Sequence, residues 1–336
     1  MSHKFKTPDA ILSLHHLRII NCNSISSPLT WGFPAISAFA GFTEALNRKI
    51  QKVADFDVEL KGVGVICHEF DPQVNKADGQ FEWTFKQTRN PLEKKGGNAV
   101  SASLQEEGRC HIDITLVIGV YGDLEDDKDE DNLETFVLET MQTMRIAGGS
   151  VLPATKRYPR CKFMTVPPNK AEREKLFRRF RRSLMPGFAL VDRSDYLEAH
   201  VEQMQKNTPN VTAIDGLLDL SRLTSKCAEL SEDKDYRNQE EKEDKKYEWE
   251  VQRKPGWFVP IPIGYVGISE LYGPGEIARC RDMHVPAQFV ESVYSIGEWV
   301  SPHRISELNN ILWFHDYRED DDLYLLVNNY QENINN

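Results

Sequence analysis

No run of apolar residues in this 336-residue chain approaches the roughly 20 that a membrane-spanning helix needs. The opening MSHKFKTPDAILSLHHL lacks both the apolar stretch and the small-residue cleavage site of a secretory signal. The expectation is a cytoplasmic protein with no membrane partner. Cysteine is scarce: six residues, at 22, 67, 110, 161, 227 and 280, form no CxxC pair, which argues against a disulfide framework or a structural zinc site. GxxxxGK[ST], a GxGxxG after a strand and GxSxG are all missing, so nucleotide and serine-hydrolase readings lack their physical elements. The short ligand-like spacings that remain are His15-His16, Cys67-His68-Glu69 and Cys110-His111. Adjacent strand residues point to opposite faces, so none of these pairs chelates alone, and no metal or other cofactor is expected.

What is present is a globular composition, with 40% hydrophobic and 28% charged residues, and a length that suggests two domains. The formal charge of −11 speaks against a nucleic-acid partner only as an average. Residues 123–134 carry net −7, 225–250 net −4 and 316–322 net −4, leaving the rest of the chain at +4. These three stretches read as solvated loops, the second as a charged linker. Residues 170–193, by contrast, hold eight Lys or Arg against three acids, enough for one face to bind an anionic polymer.

Periodicity places a strand at 12–20, a helix at 35–52 and strands at 57–70 and 110–121. A second helix carries Leu133, Phe136, Val137, Met141 and Met144 on one stripe and ends at Gly148-Gly149, with a further strand within 149–166. This β-α-β-β-α-β order is that of a ferredoxin-like unit, a superfold used by many RNA-binding domains. The segment PPNKAEREKLFRRFRRSLMPG follows as a helix with Asn169 as its cap and Glu172 at the capping-box position. Short strands and turns are expected over 253–275, and helices over 287–315, where Phe289, Val293, Ile296, Val300, Ile305, Leu308 and Leu312 fall at helical spacings.

Three features offer chemistry, each with a plain structural alternative. Gly148, Gly149 and Ser150, after Arg145, suit a phosphate or simply stop a helix. Lys175, Arg178, Arg179, Arg181 and Arg182 lie across the helix from Leu176, Phe177, Phe180 and Leu184, and either follow a phosphate backbone or balance the acidic stretches. Trp83 and Phe85, near Lys86 and Arg89, stack on bases or sit half-buried in a hairpin within 71–109.

The blocks NCNSISSPLTWGFPAISAFAGF (21–42), TRNPL (88–92), EEGR (106–109), MRIAGGSVLP (144–153), LMPGFALV (184–191), KPGWFVPIPIGY (254–265), LYGPGE (271–276) and GEWVSPHR (297–304) carry a closer resemblance. In this order, and spanning nearly the whole chain, they resemble the type I-F CRISPR-associated family called Csy-two, the Cas-five member of the Csy (Cascade) surveillance complex. The resemblance implies an α+β fold: a ferredoxin-like, RRM-like domain of the repeat-associated superfamily at 1–166, with a thumb-like insertion at 71–109, and an additional C-terminal α/β portion at 167–336. It implies a non-catalytic subunit that binds the 5′ handle of mature CRISPR RNA. Its partners would be the large subunit and the adjacent backbone subunit of the guide filament, with target DNA reached indirectly, through the guide. On this sequence the implied handle contacts are Asn21, Asn23, Ser26 and Ser27 after the first strand, and Gly148, Gly149 and Ser150 with Arg145. Arg89 and Asn90 of the thumb would clamp RNA, and Arg178, Arg181 and Arg182 would follow its backbone.

Two other readings stand beside this one. Relatives in the same superfamily cleave CRISPR RNA, a reaction that uses a positioned acid or base, most often His. Such a His commonly lies near the first helix, yet none occurs between His16 and His68, although His15, His16, His68 or a Tyr-Lys pair remain as substitutes. The third reading is a protein-only adaptor whose basic helix packs against an acidic partner.

Overall fold

The first strand sets the frame. In β1 (Ala10–Asn23) Leu12, Leu14, Leu17 and Ile19 are buried in the main core. Helix α1 (Ile36–Ile50) lays Ile36, Phe39, Leu46 and Ile50 against the same core, within the helix expected from the spacing. Strands β2 (Val58–Pro72) and β3 (Arg109–Gly122) pair antiparallel, and β3 also pairs with β1 from Ala10↔Val120 to Asn23↔Arg109. Then come α2 (Asp127–Gln142), the short strands β4 (Arg145–Ile146) and β5 (Gly149–Val151), β6 (Arg160–Thr165) and the basic helix α3 (Lys170–Ser183). The chain continues through β7 (Phe188–Asp192), α4 (Ser194–Asn207), α5 (Ala213–Ser221), β8 (Phe258–Gly267), β9 (Val290–Val300), β10 (Trp313–Arg318) and β11 (Leu323–Asn328). The computed structural model describes residues 5–53, 56–79, 82–89, 91–102, 104–105, 107–122, 124, 127–153, 155, 158–222, 224–229, 247–252 and 256–330.

Among the described residues this is a mixed α/β protein with five α-helices and one large antiparallel sheet, ordered β4-β5-β1-β3-β2-β7-β9-β8-β11-β10, with β6 also paired to β1. Strand β2 pairs with β7 on one side and meets β10 at Val63↔Trp313, so the C-terminal strands curl back onto β2. Leu190, Ile261, Trp299, Trp313 and Leu326 share one core with β1, α1 and α2, so sheet and core run across residue 166.

Three sequence expectations differ from the structure. The acidic stretch 123–134 is largely not a loop: α2 starts at Asp127, where carboxylates favour the positive end of the helix dipole. Helix α2 ends at Gln142, before the glycines, because Arg145–Val151 turns back on itself as a hairpin. The helices expected over 287–315 are instead strand β9, two 3-10 turns (Pro302–Arg304 and Leu308–Asn310) and the start of β10. From Ser295 to Val300 every residue of β9 is buried, so no alternation shows, and the apolar positions fit a helical spacing by coincidence.

A buried polar cluster lies where β7 meets β9, within the C-terminal portion. Arg193 donates to Glu298, whose side chain is 4% exposed, and to Asp195 at 3.0 Å. Next to it Asp192 accepts from the Ser194 hydroxyl at 2.9 Å and from that of Ser295 at 3.3 Å, and burial pushes its carboxyl up to about 6. A folded pKa above the unfolded value of 3.8 means the folded state holds this proton longer, so stability falls as pH rises from about 4 to about 6. The stability difference between wild type and Asp192→Asn, from urea titration, should therefore shift by about 2 kcal/mol in favour of the variant between pH 4.5 and 7.5. A difference that does not change with pH would contradict this.

Candidate nucleic-acid interface

Two segments read separately in the sequence meet at one corner of the sheet. Near its end β1 slips register against β3 between Ile19 and Cys22, and Asn21 there takes a left-handed φ of 57°, which Asn tolerates better than most residues. The Asn21 N–H donates to Nδ1 of His111 at 3.1 Å, and the Asn21 carbonyl accepts from Arg109 at 3.5 Å. Two residues on, the Asn23 side chain accepts from the Ile25 N–H at 3.1 Å and donates to its carbonyl at 2.9 Å, folding the turn that follows the strand.

The glycine segment packs directly against this turn. Ala147 (φ 49°) and Gly148 (φ 75°) form the two-residue turn between β4 and β5, the left-handed pair that tight hairpins demand. Strand β5 pairs with β1 at Ile20↔Ser150, and the Asn23 N–H donates to the Ala147 carbonyl at 2.8 Å. A Cβ on Gly149 would lie 2.7 Å from the Ile20 carbonyl oxygen and 2.8 Å from Cys22 Sγ, so this close approach requires glycine. Gly148 is exposed with open space where its Cβ would be, and the Arg145 guanidinium reaches its carbonyl at 3.3 Å. The corner thus presents Asn21, Asn23, Arg145, Gly148 and Ser150, all exposed, with Arg109 and His111 half-buried beside them.

The other expected residues divide. Ser26 and Ser27 bond to Thr30 at 2.7 and 2.6 Å and close the small Ile25–Ser27/Thr30–Trp31 ladder; Ser27 is 7% exposed. On α3, capped by Asn169 at 2.9 Å, Arg178 and Arg182 are exposed. Arg181 instead turns inward and donates to the carbonyls of His303, at 3.0 Å, and Ile305, fastening the helix to the 3-10 turn that follows β9. Arg89 sits on the strand Thr88–Arg89, paired with Leu104–Gln105, and Asn90 lies outside the described residues.

Comparison with known proteins settles the family. The model of the family described as CRISPR-associated protein (Cas_Csy2) matches residues 12–326. CRISPR-associated protein Csy2 of Pseudomonas aeruginosa (strain UCBPP-PA14) is 42% identical over 320 residues, covering 94% of each chain. The chain belongs to the type I-F Csy2 family.

In this Csy2-family chain the 73–108 excursion from the sheet forms three small ladders, Val74–Asn75/Thr84–Phe85, Thr88–Arg89/Leu104–Gln105 and Glu93–Lys95/Asn98–Val100. Its base packs on the turn after β1 through Trp31 and Phe85, 5.2 Å between rings, while Trp83 is 66% exposed with Lys76 over its ring. The charged segment 225–250 begins and ends in a ladder, Thr224–Glu229 with Tyr247–Gln252; its middle lies outside the described residues. No helix among the described residues is long and apolar enough to cross a membrane, and no group of three His, Cys, Asp or Glu side chains among them is placed to hold a metal ion.

The sequence offers His111 only as half of the Cys110-His111 pair, which does not chelate alone, and does not single out Arg109, which ends the block EEGR and stands opposite Asn23 across the β1–β3 ladder.

Proposed function

We propose that the chain is a non-catalytic RNA-binding subunit that caps the 5′ handle of mature CRISPR RNA and works in the cytoplasm. In this proposal it pairs with the large subunit and the adjacent backbone subunit of a type I-F surveillance complex. The observation that carries the reading is the convergence of the Asn21–Asn23 turn and the 145–150 hairpin on one corner, flanked by Arg109 and Arg145. Backbone groups held in left-handed conformations beside cations suit a bent, single-stranded phosphate backbone better than a regular duplex.

We also read the N-terminal half as ferredoxin-like and RRM-like. Supporting this, β6, β1, β3 and β2 lie side by side in that order, and α1 and α2 pack residues into the same core. Partner subunits would cover apolar surface such as Ile268, Leu271, Val285 and Phe289, which are 50 to 66% exposed in the loop between β8 and β9.

The test is to co-express the chain with its genomic neighbours and a CRISPR array, purify by a tag on this chain, and sequence the bound RNA with 5′ ends mapped. The reading expects one population of mature guides sharing a 5′ handle that this chain protects and leaves uncut. Absence of RNA would favour a protein-only adaptor. Cutting of the precursor at a fixed site by this chain alone would favour an endoribonuclease using His15, His16 or His68.

A further inference from the structure

A second feature lies apart from the corner, on the face of β1 and β6 that α3 covers. A slip in register between Leu14 and Leu17, with His16 at φ 54°, sends two consecutive histidines to different tasks. His16 bonds Asp113 through Nδ1 at 3.1 Å and packs its ring on His68 at 4.2 Å and Tyr158 at 4.5 Å. His68 is itself held between the Thr115 hydroxyl at 2.7 Å and the Pro186 carbonyl at 2.6 Å. The His15 ring instead meets that of Phe180 of α3 at 6.3 Å and nearly at right angles, and with His16 it lines a cleft of about 690 Å³.

The walls of that cleft are cationic. Arg160 stands directly opposite His15 in the β1–β6 ladder, Lys162 follows two residues on along the same face of β6, and Arg179 of α3 completes the wall. The facing carboxylate, Glu134 of α2, already accepts the Phe163 N–H at 2.6 Å. Three cations therefore face one carboxylate around the half-buried imidazoles of His15 and of His16, the latter bonded to Asp113, an arrangement that favours an anion. Tyr158, stacked by the Arg160 guanidinium at 5.4 Å, puts an aromatic ring beside the charges, which suits a nucleotide and adds nothing for an acidic peptide.

We propose that this cleft takes a backbone phosphodiester of the guide RNA, bound by Arg160, Lys162 and Arg179 with the His15 imidazole beside it. The proposal rests on the RNA-binding reading above and adds a site that the corner does not include. It carries a pH signature. Burial, together with His16, His68, Lys162 and Arg160, holds free His15 down at about 4, so the ring is neutral at physiological pH. A phosphodiester does not titrate in this range, and its negative charge favours the imidazolium, so binding takes up a proton and affinity falls as pH rises through the pKa of the bound state. If the bound pKa returns to the ordinary value of about 6.5, affinity is about tenfold greater at pH 5.5 than at 7.5.

The test is anisotropy of a fluorescein-labelled eight-nucleotide single-stranded RNA, titrated with the RNA-free full chain at both pH values. Wild type should bind about tenfold tighter at pH 5.5, while His15→Gln should retain less than about a twofold pH effect. Arg160→Gln with Lys162→Gln should lose at least about tenfold at pH 7.5, with circular dichroism melts confirming that it is folded. The pH effect should persist in a corner variant, Arg109→Glu with Arg145→Glu. Unchanged pH dependence in His15→Gln and unchanged affinity in the double Gln variant would overturn the cleft site and leave the corner reading standing. Failure of wild type to bind RNA at either pH would overturn both. Displacement of the RNA by equimolar inorganic phosphate, or by polyglutamate, would show a general anion site and overturn the assignment to RNA.

Discussion

Reversing two charges at the corner, Arg109→Glu with Arg145→Glu, is expected to lower affinity for a handle-bearing guide by about a hundredfold or more. Each guanidinium is in position to make a charge-assisted contact to phosphate, worth about 1.5 to 3 kcal/mol, and a carboxylate in its place adds repulsion. Arg145 is exposed and Arg109 half-buried, and their bonds within the protein, from Arg145 to the Gly148 carbonyl at 3.3 Å and from Arg109 to the Asn21 carbonyl and the Glu107 carboxylate at 3.5 Å, are long, so the fold should survive. Affinity would be measured by filter binding at two salt concentrations. The variant should also show a shallower salt dependence, because fewer counterions are released when it binds. Near wild-type affinity and slope would remove the corner from the interface.

The largest effect on stability is expected from Trp313→Ala. This side chain is 1% exposed, its indole N–H donates to the Leu190 carbonyl at 2.9 Å, and its backbone joins β10 to β2 at Val63. Truncation opens a cavity where the C-terminal strands meet the N-terminal core and leaves a buried carbonyl without a donor. The expected cost is about 4 kcal/mol, read as the change in unfolding free energy in urea. Trp313→Phe keeps most of the volume and should cost about 1 to 2 kcal/mol, from the lost hydrogen bond. A cost below about 1 kcal/mol for the alanine variant would mean that the strands do not depend on this residue.

Which parts of this structure were legible in the sequence depended on how many faces each element buries. α1 and α3 bury one face, and β1, β2 and β3 each keep an alternating stretch beside a run buried on both faces, such as Ile114–Val120 of β3, so their apolar periods place them within a few residues. β9 buries both faces over its last six residues and so gave a false helical spacing. The acidic start of α2 read as a solvated loop because charge alone does not separate a loop from a helix N-terminus.

The candidate site was legible in pieces. Asn21, Asn23 and Gly148–Ser150 were found, yet their adjacency is a matter of register, fixed by Ile20↔Ser150 and by the Asn23 bond to Ala147. From spacing alone the glycines fit a phosphate site or a helix stop, and the hairpin turn they form differs from the latter only in where the preceding helix ends. Ser27 and Arg181 matched polar and basic patterns, but the fold turns them toward Thr30 and toward the carbonyls of His303 and Ile305. The histidine cleft could not be read at all. Its cations come from the consecutive elements β6 and α3, but only the pairing of β6 with β1 brings them to His15, and the alternation rule that separates His15 from His16 says nothing of the neighbours each one meets.

In the proposed function the 5′ handle lies on the corner formed by the turn after β1 and the β4–β5 hairpin. Ultraviolet crosslinking of the assembled guide complex, with mass spectrometry of the crosslinked peptides, tests it most directly. Handle nucleotides are expected on peptides covering residues 17–27 and 143–152. Handle crosslinks confined to other peptides of this chain, or to other subunits alone, would contradict it.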